Sequence, residues 1–136
     1  GVELNPDLTQ LGYDLFAITI EELSQVLSGS SRPIKARLMD QSMVAGLGNL
    51  LTDEILWRAS IDPRRPADSL DKKTTQSLYG HFKKTIDELA SLGGSHMGTL
   101  QDHRRSGGFC PKHGIPLERY KIGGRTTYSC PEHQKG

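Results

Sequence analysis

The chain has 136 residues, 35% hydrophobic and 24% charged, enough for one modest domain or for a domain plus a metal-stapled module. No stretch approaches the ~20 apolar residues of a membrane-spanning helix, and no secretory leader is visible. The net charge of +1 hides an asymmetry: residues 1–30 carry five acids and no Lys or Arg, residues 31–100 ten bases against eight acids, and residues 101–136 seven bases against three acids. The basic C-terminal end is the end suited to a polyanion. The first residue is Gly rather than Met, as expected of a processed or trimmed chain.

Residues 1–18 lack periodicity and read as a linker or arm. Thr19 and Glu22 form a capping-box pattern, so a short helix is expected to about Ser28, broken by Ser28-Gly29-Ser30-Ser31. Pro33 suits the first turn of a second helix with Ile34, Leu38 and Met39 on its apolar face. After Gly46 and Gly48, the spacing of Leu50, Leu51, Ile55 and Leu56 predicts a third helix over about Asn49 to Ala59. Asp62-Pro63 and Arg65-Pro66 mark a loop. Ser69 is placed to cap the longest helix, about 70–92, whose stripe is Leu78, Phe82, Ile86 and Leu89. Gly93-Gly94 ends it. Gly94-Ser95-His96-Met97 resembles a cloning scar, but the surrounding text reads through it, so a native origin is expected. Residues 95–108 read as a polar linker carrying Arg104-Arg105, and residues 109–134 as a small hairpin, with strands at Leu117 to Ile122 and Thr126 to Ser129 around Gly123-Gly124.

The two cysteines stand in matching C-P-x-H units, Cys110-Pro111-Lys112-His113 and Cys130-Pro131-Glu132-His133, with 16 residues between them. Two ligands three residues apart can bite one ion from a tight turn, and the second pair closes a tetrahedron. Thiolate and neutral imidazole are donors zinc favours, and a closed set of four implies a structural ion. About 26 residues with few large apolar side chains need such a staple. The competing reading is a Cys110–Cys130 disulfide, which leaves the matching offsets of His113 and His133 unexplained.

At the hairpin tip, Gly123 and Gly124 permit positive φ, and Arg125 follows them. A guanidinium held on a rigid turn can grip phosphate bidentately; a solvated tip arginine is the plain alternative. Gly46-Leu47-Gly48-Asn49 precedes a helix start, where free N–H groups and the dipole favour an anion; a lone G-x-G is weak evidence, and on these residues alone an ordinary helix–turn–helix connection is the preferred reading. Asn49 can cap that helix and still offer an amide donor. Trp57 reads as core, and Asp53-Glu54 as first-turn acids complementing the dipole. His81, His96 and His103 have no spacing that implies a site.

Leu38-Met39-Asp40-Gln41-Ser42-Met43-Val44-Ala45-Gly46-Leu47-Gly48-Asn49, continuing through Asp53-Glu54-Ile55-Leu56-Trp57-Arg58-Ala59 to Pro63, resembles the helix–two-turns–helix segment of the formamidopyrimidine-DNA glycosylase and endonuclease VIII family. Gly123-Gly124-Arg125-Thr126-Thr127-Tyr128-Ser129-Cys130-Pro131 resembles the same family's zinc finger. The resemblance covers about residues 20–134. It implies a mainly α fold: a helix–two-turns–helix bundle over 19–94, then a small antiparallel β-hairpin zinc finger.

Members of that family remove oxidised bases in base-excision repair, flip the damaged nucleotide out of the duplex, and nick the abasic strand by β,δ-elimination. The resemblance therefore implies binding of damaged or abasic double-stranded DNA through backbone phosphates. Asn49 and Arg125 are the expected phosphate contacts, with Gly46 and Gly48 lining the same turn and Arg125 assigned a part in δ-elimination. One structural zinc ion is implied on Cys110, His113, Cys130 and His133, where most members use four cysteines. A monomer without membrane partners, acting in a bacterial cytoplasm, is the accompanying expectation. The family's chemistry depends on an N-terminal proline amine and an adjacent glutamate. This chain starts Gly1-Val2-Glu3, so it is expected to be the DNA-binding C-terminal region and inactive by itself. The alternatives are a stand-alone, non-enzymatic, zinc-containing nucleic-acid-binding module and a zinc ribbon that contacts protein.

Overall fold

A computed structural model describes residues 13–40, 42, 44–45, 47–91, 100–105 and 107–134. Most of the expected arm, Gly46, and residues 94–97 lie outside that set. Within it the chain is mainly helical, with one two-stranded antiparallel hairpin at its C-terminal end.

Helix α1 spans Ile20–Ser28 and starts as its capping box dictates. The Thr19 hydroxyl accepts from the Glu22 backbone N–H at 3.2 Å, and the Glu22 carboxylate accepts from the Thr19 N–H at 2.9 Å. Helix α2, Ile34–Met39, begins after Pro33. Strand β1, Tyr13–Asp14, pairs in parallel with β2, Val44–Ala45. Leu15 and Ile18, within the segment expected to be an arm, are instead buried in the helical core.

Helix α3, Asn49–Arg58, has every residue from Leu51 to Trp57 buried. A helix covered on all sides is a central element rather than a surface one. It packs against α2, against α4, and against the second strand of the hairpin. Ser60, in the turn that follows, has φ 60° and is the only non-glycine with positive φ among the described residues.

Helix α4 spans Lys72–Ser91. Its expected cap, Ser69, lies two residues too early, at the end of the short 3-10 turn Ala67–Ser69, where its hydroxyl donates to the Pro66 carbonyl at 2.7 Å. Asp71 takes the role, accepting the Thr74 N–H at 2.7 Å. Leu78, Phe82 and Ile86 of the α4 stripe are buried in one cluster with Leu23, Leu38, Leu51 and Ile55. Each such side chain contributes about 1.5–3 kcal/mol by leaving water.

Strands β3, Glu118–Ile122, and β4, Arg125–Ser129, pair antiparallel with Ile122 opposite Arg125. The two-residue turn uses φ 56° at Gly123 and 80° at Gly124, the left-handed pair that a tight hairpin needs. A second, smaller cluster of Trp57, Leu100, Cys110 and Cys130 lies under the hairpin's base.

Candidate nucleic-acid interface and metal cage

The four expected ligands converge. Cys110, His113, Cys130 and His133 place one donor atom each within 4.8 Å of one another. The Cys110 sulfur lies 3.8 Å from Nδ1 of His113 and 3.9 Å from Nδ1 of His133, and the Cys130 sulfur lies 3.8 Å from Nδ1 of His113. The two Nδ1 atoms face each other at 2.9 Å. Edges of roughly 3.3–3.8 Å follow from tetrahedral zinc bond lengths, and these four separations lie within about half an ångström of that range. Both cysteines are free thiols, and the disulfide alternative is not what the structure forms.

The electrostatics at Cys110 and His133 suit a cation, while burial of Cys130 opposes its thiolate form. Burial pushes the Cys110 thiol up, but hydrogen bonds from the Trp57 indole, from His113 and from the backbone outweigh it and bring it to about 7. Burial raises the Cys130 thiol and lowers the His133 imidazolium, which keeps that ring neutral and able to ligate.

Of the expected DNA-contacting residues, Asn49 and Arg125 come together through Thr126. The Asn49 side-chain amide donates to the Thr126 carbonyl at 3.1 Å, and Arg125 is the exposed residue immediately before it. That same carbonyl accepts from Lys35 Nζ at 3.2 Å and from Arg104 Nη2 at 3.1 Å. Asn49 is the first residue of α3 rather than its cap, which is Gly48. Its carboxamide is therefore turned toward the hairpin, with a second N–H left to donate.

Gly48 has an ordinary extended φ of −93°, and a side chain there would meet nothing within 4 Å. Open space lies in front of it. Beside Arg125, a cleft of about 400 Å³ is lined by Arg32, Lys35, Met39, Asp40, Ile122 and Gly123.

Beneath the hairpin is a buried charge cluster that the sequence did not reveal. Asp53, read as a dipole-complementing acid, is fully buried, with Lys35 Nζ at 2.8 Å and Arg104 Nε at 3.0 Å. It also accepts the Tyr128 backbone N–H at 3.2 Å. Glu54 is buried too, pairing with Arg58 at 2.6 Å and accepting the Leu100 N–H at 2.8 Å. Two cations share one carboxylate at Asp53, so an excess of positive charge sits below Arg125. Burial lowers the Lys35 pKa, and Asp53 opposes that drop.

Asn49, Asp53 and Trp57 lie at i, i+4 and i+8, on one stripe of α3. They meet Thr126, Tyr128 and the cage in that order. Four helical residues advance about 6 Å and two strand residues about 6.6 Å, so helix and strand stay in step. The stripe was legible as spacing. Lys35 shares a face with Leu38 and Met39, and a lysine on an apolar face was the available signal for a buried partner. Arg104 gave no signal beyond its charge.

The profile of the formamidopyrimidine-DNA glycosylase H2TH domain matches residues 12–101. A formamidopyrimidine-DNA glycosylase of Roseiflexus sp. is 36% identical over 133 residues, covering 88% of this chain and 49% of the relative. One from Moorella thermoacetica is 40% identical, covering 88% of this chain and 50% of the relative. Among solved structures, the MutM (Fpg) protein of Thermus thermophilus superposes with a TM-score of 0.82 at 35% identity, covering 95% of this chain and 55% of the other. The Lactococcus lactis Fpg in complex with abasic-site DNA gives a TM-score of 0.82 at 26% identity, covering 95% and 53%. The chain thus spans about half the length of the relatives it matches.

Proposed function

Since the chain belongs to the formamidopyrimidine-DNA glycosylase family, we propose that it binds damaged or abasic duplex DNA by its phosphate backbone and serves oxidised-base removal in base-excision repair. The observation that carries this reading is the Asn49–Thr126 hydrogen bond, which sets an amide donor and the Arg125 guanidinium on one surface across the seam between helix and hairpin. Phosphates on adjacent nucleotides are the ligand such paired donors fit. The free N–H groups at the start of α3 point the same way, and the open space before Gly48 lets a phosphate approach. The excess positive charge at Lys35, Arg104 and Asp53 strengthens the field there.

The cage holds one structural zinc ion in this reading. Cys110, His113, Cys130 and His133 supply all four donors, so the ion orders the base of the hairpin and takes no part in chemistry. The resemblance assigns the lyase step to an N-terminal proline amine, with Arg125 gripping the phosphate at the lesion. Support for abasic DNA as the partner comes from the Lactococcus lactis Fpg complex, a protein of the same fold.

Fluorescence anisotropy on a labelled duplex carrying an abasic analogue tests the reading. Binding should weaken steeply between roughly 50 and 200 mM salt, and Asn49→Ala should weaken it further. A salt-independent affinity, or unchanged binding by both Asn49→Ala and Arg125→Ala, contradicts it.

A further inference from the structure

Trp57 reaches the cage twice. Its indole N–H donates to the Cys110 sulfur at 3.3 Å. Its backbone carbonyl, near the end of α3, lies 3.2 Å from Nε2 of His133. The two rings also meet edge to face, with centroids 5.7 Å apart. Just beyond, buried Gln134 donates to the Ile61 carbonyl at 3.0 Å and accepts the Cys130 N–H at 2.8 Å.

These contacts have a direction set by coordination chemistry. Nδ1 is the nitrogen His133 turns inward, 2.9 Å from Nδ1 of His113. An ion on Nδ1 leaves the ring proton on Nε2, and Nε2 faces an acceptor, the Trp57 carbonyl. An N–H donated to a ligating sulfur withdraws charge from the thiolate and holds it in place. A cysteine at position 133 can ligate an ion but has no second nitrogen to donate to the helix.

We propose that Trp57 and His133 are positioning residues that bind the metal cage to α3, so that loading of the ion and docking of the hairpin on the helix are one coupled equilibrium. The proposal rests on the reading of the cage as a zinc site. Through it, the helix whose first residue is Asn49 grips the hairpin that carries Arg125 at both ends, at Asn49 by an amide and at Trp57 through the metal ligands.

The 136-residue chain loaded with cobalt(II) gives a thiolate-to-metal charge-transfer band that reads the Cys110 sulfur directly. Trp57→Phe keeps the bulk of the ring and removes the N–H. The expected result is a shifted band and zinc affinity about 10- to 100-fold weaker by competition with a chromophoric chelator. An unshifted band with unchanged affinity overturns the proposal. Unsubstituted chain loaded with cadmium-113 supplies a second readout that needs no variant: scalar coupling between the metal and the indole proton of Trp57, the only tryptophan. Absence of that coupling overturns the indole link. His133→Cys should keep a tetrahedral cobalt spectrum while zinc raises its melting temperature less than in the unsubstituted chain. An equal rise overturns the His133 link. Failure of the unsubstituted chain to take up cobalt at all overturns the zinc reading itself, and is distinguishable from the other failures for that reason.

Discussion

Leu78, Phe82 and Ile86 of α4 vanish into a cluster of seventeen buried apolar residues drawn from every helix and the loops between them. The cluster at the hairpin's base is far smaller: among the described residues it holds Trp57, Leu100 and the two cysteines, with Ile115 and Leu117 partly covered. The first region can be stabilised by apolar burial alone, and the second, in the zinc reading proposed above, is stabilised by an ion. The stretch of the seam from Asn49 to Asp53 uses neither. It is made of a buried carboxylate and two cations at Asp53, and of three donors on the Thr126 carbonyl. Buried charges add little net stability, but they fix one geometry, because any other leaves a charge unpaired. That is what a surface requires if Asn49 and Arg125 are to meet two phosphates at a set distance.

Removing the ion is expected to separate the regions most sharply. Zinc contributes on the order of 10–16 kcal/mol in peptide modules. Hydrogen exchange with and without chelator should show protection lost over residues 109–134 and kept at the centre of α4. Loss of protection in all helices together would make the molecule one cooperative unit and break the comparison. The seam comes next. Asp53→Ala leaves Lys35 and Arg104 buried without their carboxylate, and urea unfolding should show a loss of about 3–5 kcal/mol. A loss below about 1 kcal/mol would mean that the seam relaxes and does not set the geometry.

Arg125→Ala removes an exposed side chain from the hairpin tip. Charged hydrogen bonds are worth about 1.5–3 kcal/mol, so duplex affinity should fall roughly 10- to 100-fold with an unchanged melting temperature. The smallest effect concerns Glu88, whose carboxyl is held below its ordinary value by hydrogen bonds from Arg58. A depressed carboxyl pKa stabilises the fold above the ordinary range and loses that contribution as pH falls through the folded value. Glu88→Gln should therefore melt slightly lower than the unsubstituted chain at about pH 6, a loss of under about 1 kcal/mol with the Glu88 carboxylate partly exposed to solvent, and the gap should close as pH falls through the folded value of Glu88. A gap that persists in acid would assign the effect to packing.

The helices and the cage were legible because each rests on local spacing: a capping box at Thr19, a stripe at 78, 82 and 86, two C-P-x-H units. The cap of α4 was misplaced by two residues, since Ser69 and Asp71 are both good caps and the 3-10 turn before the helix decides between them. The seam was not legible. Asp53 and Lys35 lie 18 positions apart and Arg104 a further 51 from Asp53; Lys35 on the apolar face of α2 signals burial, but nothing in the local sequence of any of the three names its partners. Trp57 was expected in the core and is there, but its contact with Cys110 spans 53 positions and depends on how the hairpin docks.

The dependence of DNA binding on the ion tests the division between scaffold and contact most directly. Anisotropy of an abasic-site duplex, measured with the 136-residue chain before chelation, after it, and after zinc is returned, should show binding, loss and recovery. Affinity that survives chelation while the cage is empty would contradict the assignment of the hairpin, and of Arg125 with it, to the DNA-binding surface.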